Sequence, residues 1–223
     1  MQPLRAPKAP RPDVGAETAV LTIPDRRSTA RGLAILAVHY ALYLATLAGA
    51  LAPLPLALNF VSALANGVFI ALLFIIAHDG AHGSFVPGRR FNRAIARFAF
   101  IPCAHSLSLW RVIHNKRHHG RTNLKGVDGV WAPVSKAEYD AAGPARRWLE
   151  RLYRGPWGPL IYYYGAFWIH RVLLPLAPEV RDQWKRHLPD SIFAVSALLL
   201  TWAAIAAAGK TLDRKSTRLN SSH

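Results

Sequence analysis

The sequence predicts an all-α fold, that of a polytopic protein with three membrane-spanning helices. Two observations lead to this expectation. Of the 223 residues 52% are hydrophobic, yet the formal net charge is +16. The basic residues also lie between long apolar runs, as they do in membrane proteins, whose Lys and Arg gather on cytoplasmic loops. A nucleic-acid-binding surface would instead concentrate them in one patch, so we expect no nucleic-acid partner.

The N-terminal segment, residues 1–32, is basic and rich in proline. It lacks the long apolar core of a secretory signal peptide. Because it also has few large apolar residues, we expect a disordered cytoplasmic tail.

Three apolar runs are long enough to cross a bilayer, and they cover about 33–51, 56–77 and 192–208. As a helix, the first would span about 28 Å, close to the thickness of the hydrocarbon core. Pro53 and Pro55 separate the first two runs. These runs therefore predict a helical hairpin with a short outer turn.

Flanking charges predict the orientation of this hairpin. Arg26, Arg27 and Arg31 precede the first run, the turn near Pro53 is uncharged, and many arginines follow Ala77. The positive-inside rule therefore places the tail and the region after the second run in the cytoplasm. We expect a multi-pass protein of a bacterial inner membrane.

Two further apolar segments are interrupted by polar residues, at 91–110 and 157–176. The first is interpreted as an interfacial or partly buried helix and the second as an interfacial helix. His170 and Arg171 fall in the middle of the second segment, and burying them deep in lipid would be costly. An interfacial position is therefore favoured over a fourth span, which stays the alternative.

The last residues, 210–223, are polar and lack helical periodicity. We interpret them as a non-native tail after an interrupted reading frame, which would make 33–209 a partial membrane domain. The alternative is a genuine short exposed tail.

A first histidine pair, His78 and His82, lies at the end of the second run. Residues four apart share one face of a helix, so both imidazoles can reach one metal ion. Zinc proteases of the HExxH type carry glutamate after the first histidine. Asp79 occupies that position here, which argues against such a protease.

A second histidine cluster comprises His114, His118 and His119. On a 3.6-residue helix His114 and His118 share a face, while His119 is turned away by about 100°. Each cluster alone is equally compatible with a solvated helix face. Together, on one side of the membrane, they predict a shared two-metal site, for which iron, zinc and copper are all suitable.

Two polar residues next to these histidines, Asp79 and Asn115, are candidates for orienting the imidazoles. Helix capping or simple solvation is the alternative role for each.

These motifs resemble the histidine boxes of membrane fatty acid desaturases. The first is His78-Asp-Gly-Ala-His82-Gly-Ser-Phe85 after an apolar run. The second is Trp110-Arg111 with His114 to His119 and Thr122-Asn123, followed by Asp128-Gly-Val-Trp-Ala-Pro133.

The resemblance implies membrane helices capped by a cytoplasmic di-iron centre. Its five histidines, His78, His82, His114, His118 and His119, would hold two iron ions, and molecular oxygen would be co-substrate. The product would be a double bond in an acyl-lipid or a fatty-acyl thioester. Electrons would come from an external donor such as a ferredoxin or a cytochrome.

The chain departs from the family pattern in one respect. A third box of the HxxHH kind is expected after a fourth span, and His170 and His187 are isolated and do not form it. We therefore expect the polypeptide as written to be inactive alone, and a noncatalytic membrane fragment is one interpretation of it.

Two other functions stay open. A related di-iron hydroxylase acting on alkanes or carotenoids would use similar boxes. A metal-binding or metal-transporting membrane protein would also need histidines, but transporters hold their ligands near the bilayer midplane. The boxes here are predicted at the end of a span.

Overall fold

The computed structural model describes residues 27–122, 124–128 and 134–220, with only the backbone described at 208 and 210–220. Within these ranges every regular element is helical, which confirms the all-α prediction. The elements are, in order, α1 (Thr29–Leu51), α2 (Leu56–His82), α3 (Arg89–Ala99), α4 (Leu107–Trp110), the π-helix π1 (Arg111–His118), α5 (Lys136–Ala141), α6 (Pro144–Arg154), α7 (Gly158–Tyr162), the π-helix π2 (Tyr163–Leu173), α8 (Pro178–Arg181) and α9 (Trp184–Asn220).

Three described helices are long and apolar enough to cross a membrane: Thr29–Leu51, Leu56–His82 and Trp184–Ala207. Only 11%, 22% and 11% of the residues in their most apolar windows are buried inside the protein. Most of their apolar surface therefore lacks a protein partner, as expected for helices in lipid. The three predicted spans are confirmed.

The helix ends differ from the predicted ones. Ser28 caps α1, accepting a hydrogen bond from the Arg31 backbone N–H at 3.4 Å, so the helix begins at Thr29, inside the predicted tail. Residues 1–26 of that tail lie outside the described residues. The second helix continues past the predicted end at 77 to His82, so the first histidine box lies on its last turns.

Two asparagines join α1 to α2 within the hairpin. The Asn66 amide donates to the Tyr43 carbonyl at 2.8 Å, and Asn66 is only 8% exposed. Near the turn, the Asn59 amide donates to the carbonyls of Gly49 and Ala52, both at 2.9 Å. The Asn59 bonds satisfy carbonyls at the end of α1 that have no intrahelical partner.

The predicted interfacial helix at 91–110 is two helices, α3 and α4, separated by a turn that contains Pro102. Asp190 of α9 holds both: it accepts from Arg97 Nε at 2.8 Å and from the Ser108 backbone N–H at 2.9 Å. Phe100 and Leu109 are fully buried in the core between α2, α3 and α4.

The segment at 157–176 forms α7 and π2 and is not among the described candidate spans. Phe167 and Val172 of π2 are buried in the same core as α2. The charge of Arg171 is paired with Glu179 at 2.9 Å. This segment therefore packs on the core, and its interfacial position stays a prediction.

The last helix, α9, contains Pro189 near its start, and its backbone stays helical to Asn220. It therefore continues well into the polar segment 210–223, because helix continuation needs backbone hydrogen bonds and no apolar face. That this segment is non-native stays a prediction.

Candidate metal centre

An indole ring forms the floor of the site between α2 and π1. Trp110 is 4% exposed, and its ring stacks on His114 with centroids 4.2 Å apart and an interplanar angle of 25°. The same ring meets His78 edge-on at 5.2 Å and His82 at 5.8 Å. Trp110 therefore holds imidazoles from both histidine boxes against one apolar surface.

Four imidazoles converge above this floor. His78, His82, His114 and His119 each offer a ring nitrogen, and these nitrogens lie within 4.8 Å of one another. His114 Nε2 is 3.2 Å from His78 Nε2 and 3.0 Å from His119 Nε2. Two nitrogens that each bind one first-row ion at about 2.1 Å lie at most about 4.2 Å apart. The imidazole nitrogens of the cluster would therefore need to move only slightly closer together to share one ion. The donor set fits a metal ion.

The second box forms a π-helix, which corrects the predicted grouping of its histidines. The His119 backbone N–H donates to the His114 carbonyl at 3.0 Å, the i to i+5 bond of a π-helix. This register brings His119 next to His114, where the 3.6-residue prediction had placed His118. His118 does not belong to the group of converging nitrogens.

His118 is held instead by a buried carboxylate. Its Nδ1 lies 2.9 Å from Asp128 Oδ2, and Asp128 is 3% exposed. Its ring centroid is 5.3 Å from that of His114. An imidazole whose Nδ1–H donates to a carboxylate has a fixed tautomer and keeps Nε2 free for a metal ion.

The two predicted orienting residues differ in what they contact. Asp79 Oδ1 accepts from His78 Nδ1 at 3.0 Å, the same arrangement as at His118. Asn115 donates instead to the Ala81 carbonyl at 3.2 Å, and so ties π1 to α2. Its Oδ1 is buried with no partner in the described residues.

Burial keeps the central imidazole neutral. The pKa of His114 is lowered to about 3, first by desolvation and then by the neighbouring imidazoles of the cluster. Only neutral imidazole binds metal, so His114 is in its ligating form at neutral pH.

The remaining described histidines lie away from the cluster. His105 is 6% exposed, and its Nε2 shares a 2.6 Å hydrogen bond with the Tyr163 hydroxyl. His39 bonds the Ile35 carbonyl at 2.7 Å, and His187 bonds Ser108 Oγ at 3.1 Å. His170 is exposed on π2. These four therefore do not form a third group of ligands.

Cys103, the one cysteine, donates to the Ile70 carbonyl at 3.6 Å. Burial raises the pKa of its thiol to about 12, so it is neither a nucleophile nor a ligand at neutral pH.

Comparison with known proteins agrees with this geometry. The fatty acid desaturase family model matches residues 55–212, which include both histidine boxes. Asn123 and residues 129–133 of the family-like motifs lie outside the described residues.

Individual relatives are similar over part of their length. The chain is 30% identical over 123 residues to an omega-6 fatty acid desaturase, chloroplastic, of Arabidopsis thaliana, covering 50% of this chain and 27% of that protein. It is 29% identical over 143 residues to an sn-1 oleoyl-lipid 12-desaturase of Synechocystis sp., covering 63% and 38%. It is 30% identical over 152 residues to an sn-1 acyl-lipid omega-3 desaturase (ferredoxin) of the same organism, covering 62% and 40%.

These matches therefore cover less than half of each relative. The family model, in contrast, matches well over half of this chain and contains all the converging histidines. The chain belongs to the fatty acid desaturase family.

Proposed function

We propose that the complete protein introduces double bonds into acyl chains, using molecular oxygen and two iron ions held by the histidine boxes. The observation that carries the proposal is the convergence of the two boxes. His78 and His114 are 36 positions apart in the sequence, yet their Nε2 atoms are 3.2 Å apart. Membership of the desaturase family supports this reaction class over metal transport.

The first ion would be held by the four converging imidazoles, with Trp110 beneath them. His118 would bind the second ion through Nε2, with Asp128 fixing its ring. Bound iron supplies the one chemistry that side chains lack, the activation of oxygen for hydrogen removal from an unactivated methylene. The histidines of this chain would position the ions, and Trp110 would keep one side of the site apolar.

The ligand set of this chain is incomplete in this proposal. Five histidines serve two ions, and the described His170 and His187 do not join them. A third histidine box of the complete protein would supply the remaining ligands, and this chain alone would be inactive.

The substrate would be an acyl-lipid or a fatty-acyl thioester. The cluster lies at the end of α2, a candidate span, so an acyl chain in the hydrocarbon layer can approach it from the membrane side. Relatives named as lipid desaturases favour the acyl-lipid.

Electrons would come from an external donor such as a ferredoxin or a cytochrome, and the name of one relative includes ferredoxin. The formal charge of +16 would attract an acidic redox protein. The boxes would lie on the cytoplasmic side of a bacterial inner membrane, a location that the charge pattern favours.

The test is to express the uninterrupted gene in a bacterial host and profile its lipids by gas chromatography and mass spectrometry. We expect new double bonds with the wild-type gene, their loss with His114→Ala, and their retention with His170→Ala, an exposed histidine outside the cluster. Hydroxylated chains in place of double bonds would point to the hydroxylase. Double bonds that survive His114→Ala would overturn the assignment of the site.

A further inference from the structure

A strongly basic cavity lies beside the candidate metal centre, on the side of α3. Its volume is about 500 Å³, and arginines from three parts of the chain line it: Arg27 before α1, Arg89 and Arg93 on α3, and Arg111 on π1. Residues 80–83 at the end of α2, among them His82 of the histidine cluster, and Gly88 complete the wall. No Asp or Glu is among the described residues that line it.

Three of these arginines have no counter-charge. In the described part of the chain, Arg89, Arg93 and Arg111 form no ion pair. Arg97, one turn after Arg93 on the same helix, is instead paired with Asp190 at 2.8 Å. Arg97, which links α3 to α9, is therefore neutralised, whereas Arg89 and Arg93, which line the cavity, are not.

The start of α3 is electrostatically unfavourable as the sequence stands. Arg89 and Arg90 occupy its first turn, which contains no acidic residue. Positive side chains repel the positive end of the helix dipole. Arg89 and Arg93 are also four apart, a spacing at which like charges destabilise a helix. An anion bound in the cavity would attract both arginines and the positive end of the helix dipole, and would so turn these repulsions into net attraction.

The wall of the cavity is already ordered by a buried amide. Asn92 is 0% exposed, and its Oδ1 accepts from the backbone N–H groups of Phe85 and Val86, both at 3.1 Å. Its Nδ2 donates to the Gly88 carbonyl at 2.9 Å. Arg27 is placed on the rim by a 2.6 Å bond from Nη1 to the Gly83 carbonyl. Binding groups held in advance lower the ordering cost of a ligand.

We propose that this cavity binds a phosphate group. Guanidinium groups match phosphate oxygens with paired hydrogen bonds, and several arginines around one cavity suit a ligand of more than one negative charge. The topology rule explains why arginines are numerous after α2, but not why they converge on one cavity free of acids. Because the cavity adjoins the end of a candidate span, the headgroup of a membrane phospholipid is one source, and free inorganic phosphate is the other.

The test measures lipid binding to the metal-free chain, so its result is independent of the metal centre. The purified chain in detergent is titrated with phosphatidylglycerol and with diacylglycerol of the same acyl chains, and bound lipid is quantified by native mass spectrometry. We expect tighter binding of phosphatidylglycerol and a loss of about tenfold or more in Arg89→Gln/Arg93→Gln, because charge-assisted hydrogen bonds are removed. Arg111→Gln, on a different element, should show the same direction of change.

The matched control is Arg90→Gln/Arg121→Gln, which removes the same charge from exposed arginines that do not line the cavity. It should leave phosphatidylglycerol binding within about twofold, since only screened surface charge changes. Displacement of the lipid by millimolar inorganic phosphate would identify free phosphate as a ligand of the same cavity. Failure of phosphate to compete, with the arginine dependence intact, would identify the lipid headgroup. Equal losses in both double variants, or equal binding of the two lipids, would overturn the proposal.

Discussion

The π-helical register of the second histidine box determines which histidines would share the first of the two proposed metal ions. His119 Nε2 lies 3.0 Å from His114 Nε2, whereas His118 is turned to Asp128 at 2.9 Å. An α-helical register would pair His114 with His118 instead. We therefore predict that His119→Ala weakens binding of the first divalent ion strongly, and that His118→Ala leaves it nearly unchanged.

The size of the effect follows from the number of donors. Four-ligand structural zinc sites bind with about 10–16 kcal/mol. Divided over the four imidazoles of this cluster, that range gives roughly 3 kcal/mol for each imidazole. Loss of one imidazole should then raise the dissociation constant on the order of 100-fold. This difference between the two neighbouring variants is well above the error of a competition titration.

The assay uses the purified chain, stripped of metal and titrated with Co²⁺ against a chromophoric chelator. Circular dichroism and size-exclusion chromatography establish that both variants keep the fold. A loss in His118→Ala as large as that in His119→Ala would refute the reasoning, because it would place His118 in the first ligand group. Unchanged affinity in His119→Ala would refute it as well.

Three further predictions concern the surroundings of the cluster. Asp128→Asn should lower double-bond formation by about 10–100-fold when the uninterrupted gene is expressed and its lipids are profiled, because a carboxylate that orients His118 is lost. Gly80→Ala should lower the thermal unfolding midpoint, because its Cβ would lie 2.9 Å from the Asn92 carbonyl oxygen; Gly67→Ala, on the same helix with nothing within 4 Å, should not lower it. Burial lowers the pKa of His105 to about 4, so the folded state resists protonation while the unfolded state accepts it below about 6.5. Stability should therefore fall as the pH is lowered from 6.5 towards 4, and the slope of the unfolding midpoint against pH should be smaller in His105→Gln.

The three spans could be predicted from the sequence because the length of an apolar run determines whether a helix can cross a bilayer. The helix ends could not be placed as well. Ser28 begins α1 inside the polar tail, since a capping side chain needs no apolar neighbour. The roles of Asn59 and Asn66 were also hidden in the apolar runs, because their partners are carbonyls of the neighbouring helix.

The meeting of the two boxes could be predicted from their expected position on one side of the membrane, but the helical register of the second box could not. Periodicity analysis assumes 3.6 residues per turn, and a π-helix shifts the shared face from i+4 to i+5. Tertiary contacts stabilise that register here: Trp110 stacks on His114, and Asn115 donates to the Ala81 carbonyl. The pairing of His118 with Asp128 brings together residues ten apart across a turn, a contact that no helical period predicts.

The two histidine boxes lie on helices of different kinds, a regular α-helix and a π-helix. His78 and His82 lie on the last turns of α2, a long α-helix whose regular geometry fixes their ring centroids 4.6 Å apart. The second box must therefore adapt to the first. A π-helix offers that freedom, since its wider turn changes the direction of successive side chains without breaking the helix. The result is that His114 and His119 reach the fixed pair while His118 points to its own carboxylate. One rigid helix and one adapted helix thus produce a cluster of four converging imidazoles and a separate fifth imidazole held by a carboxylate.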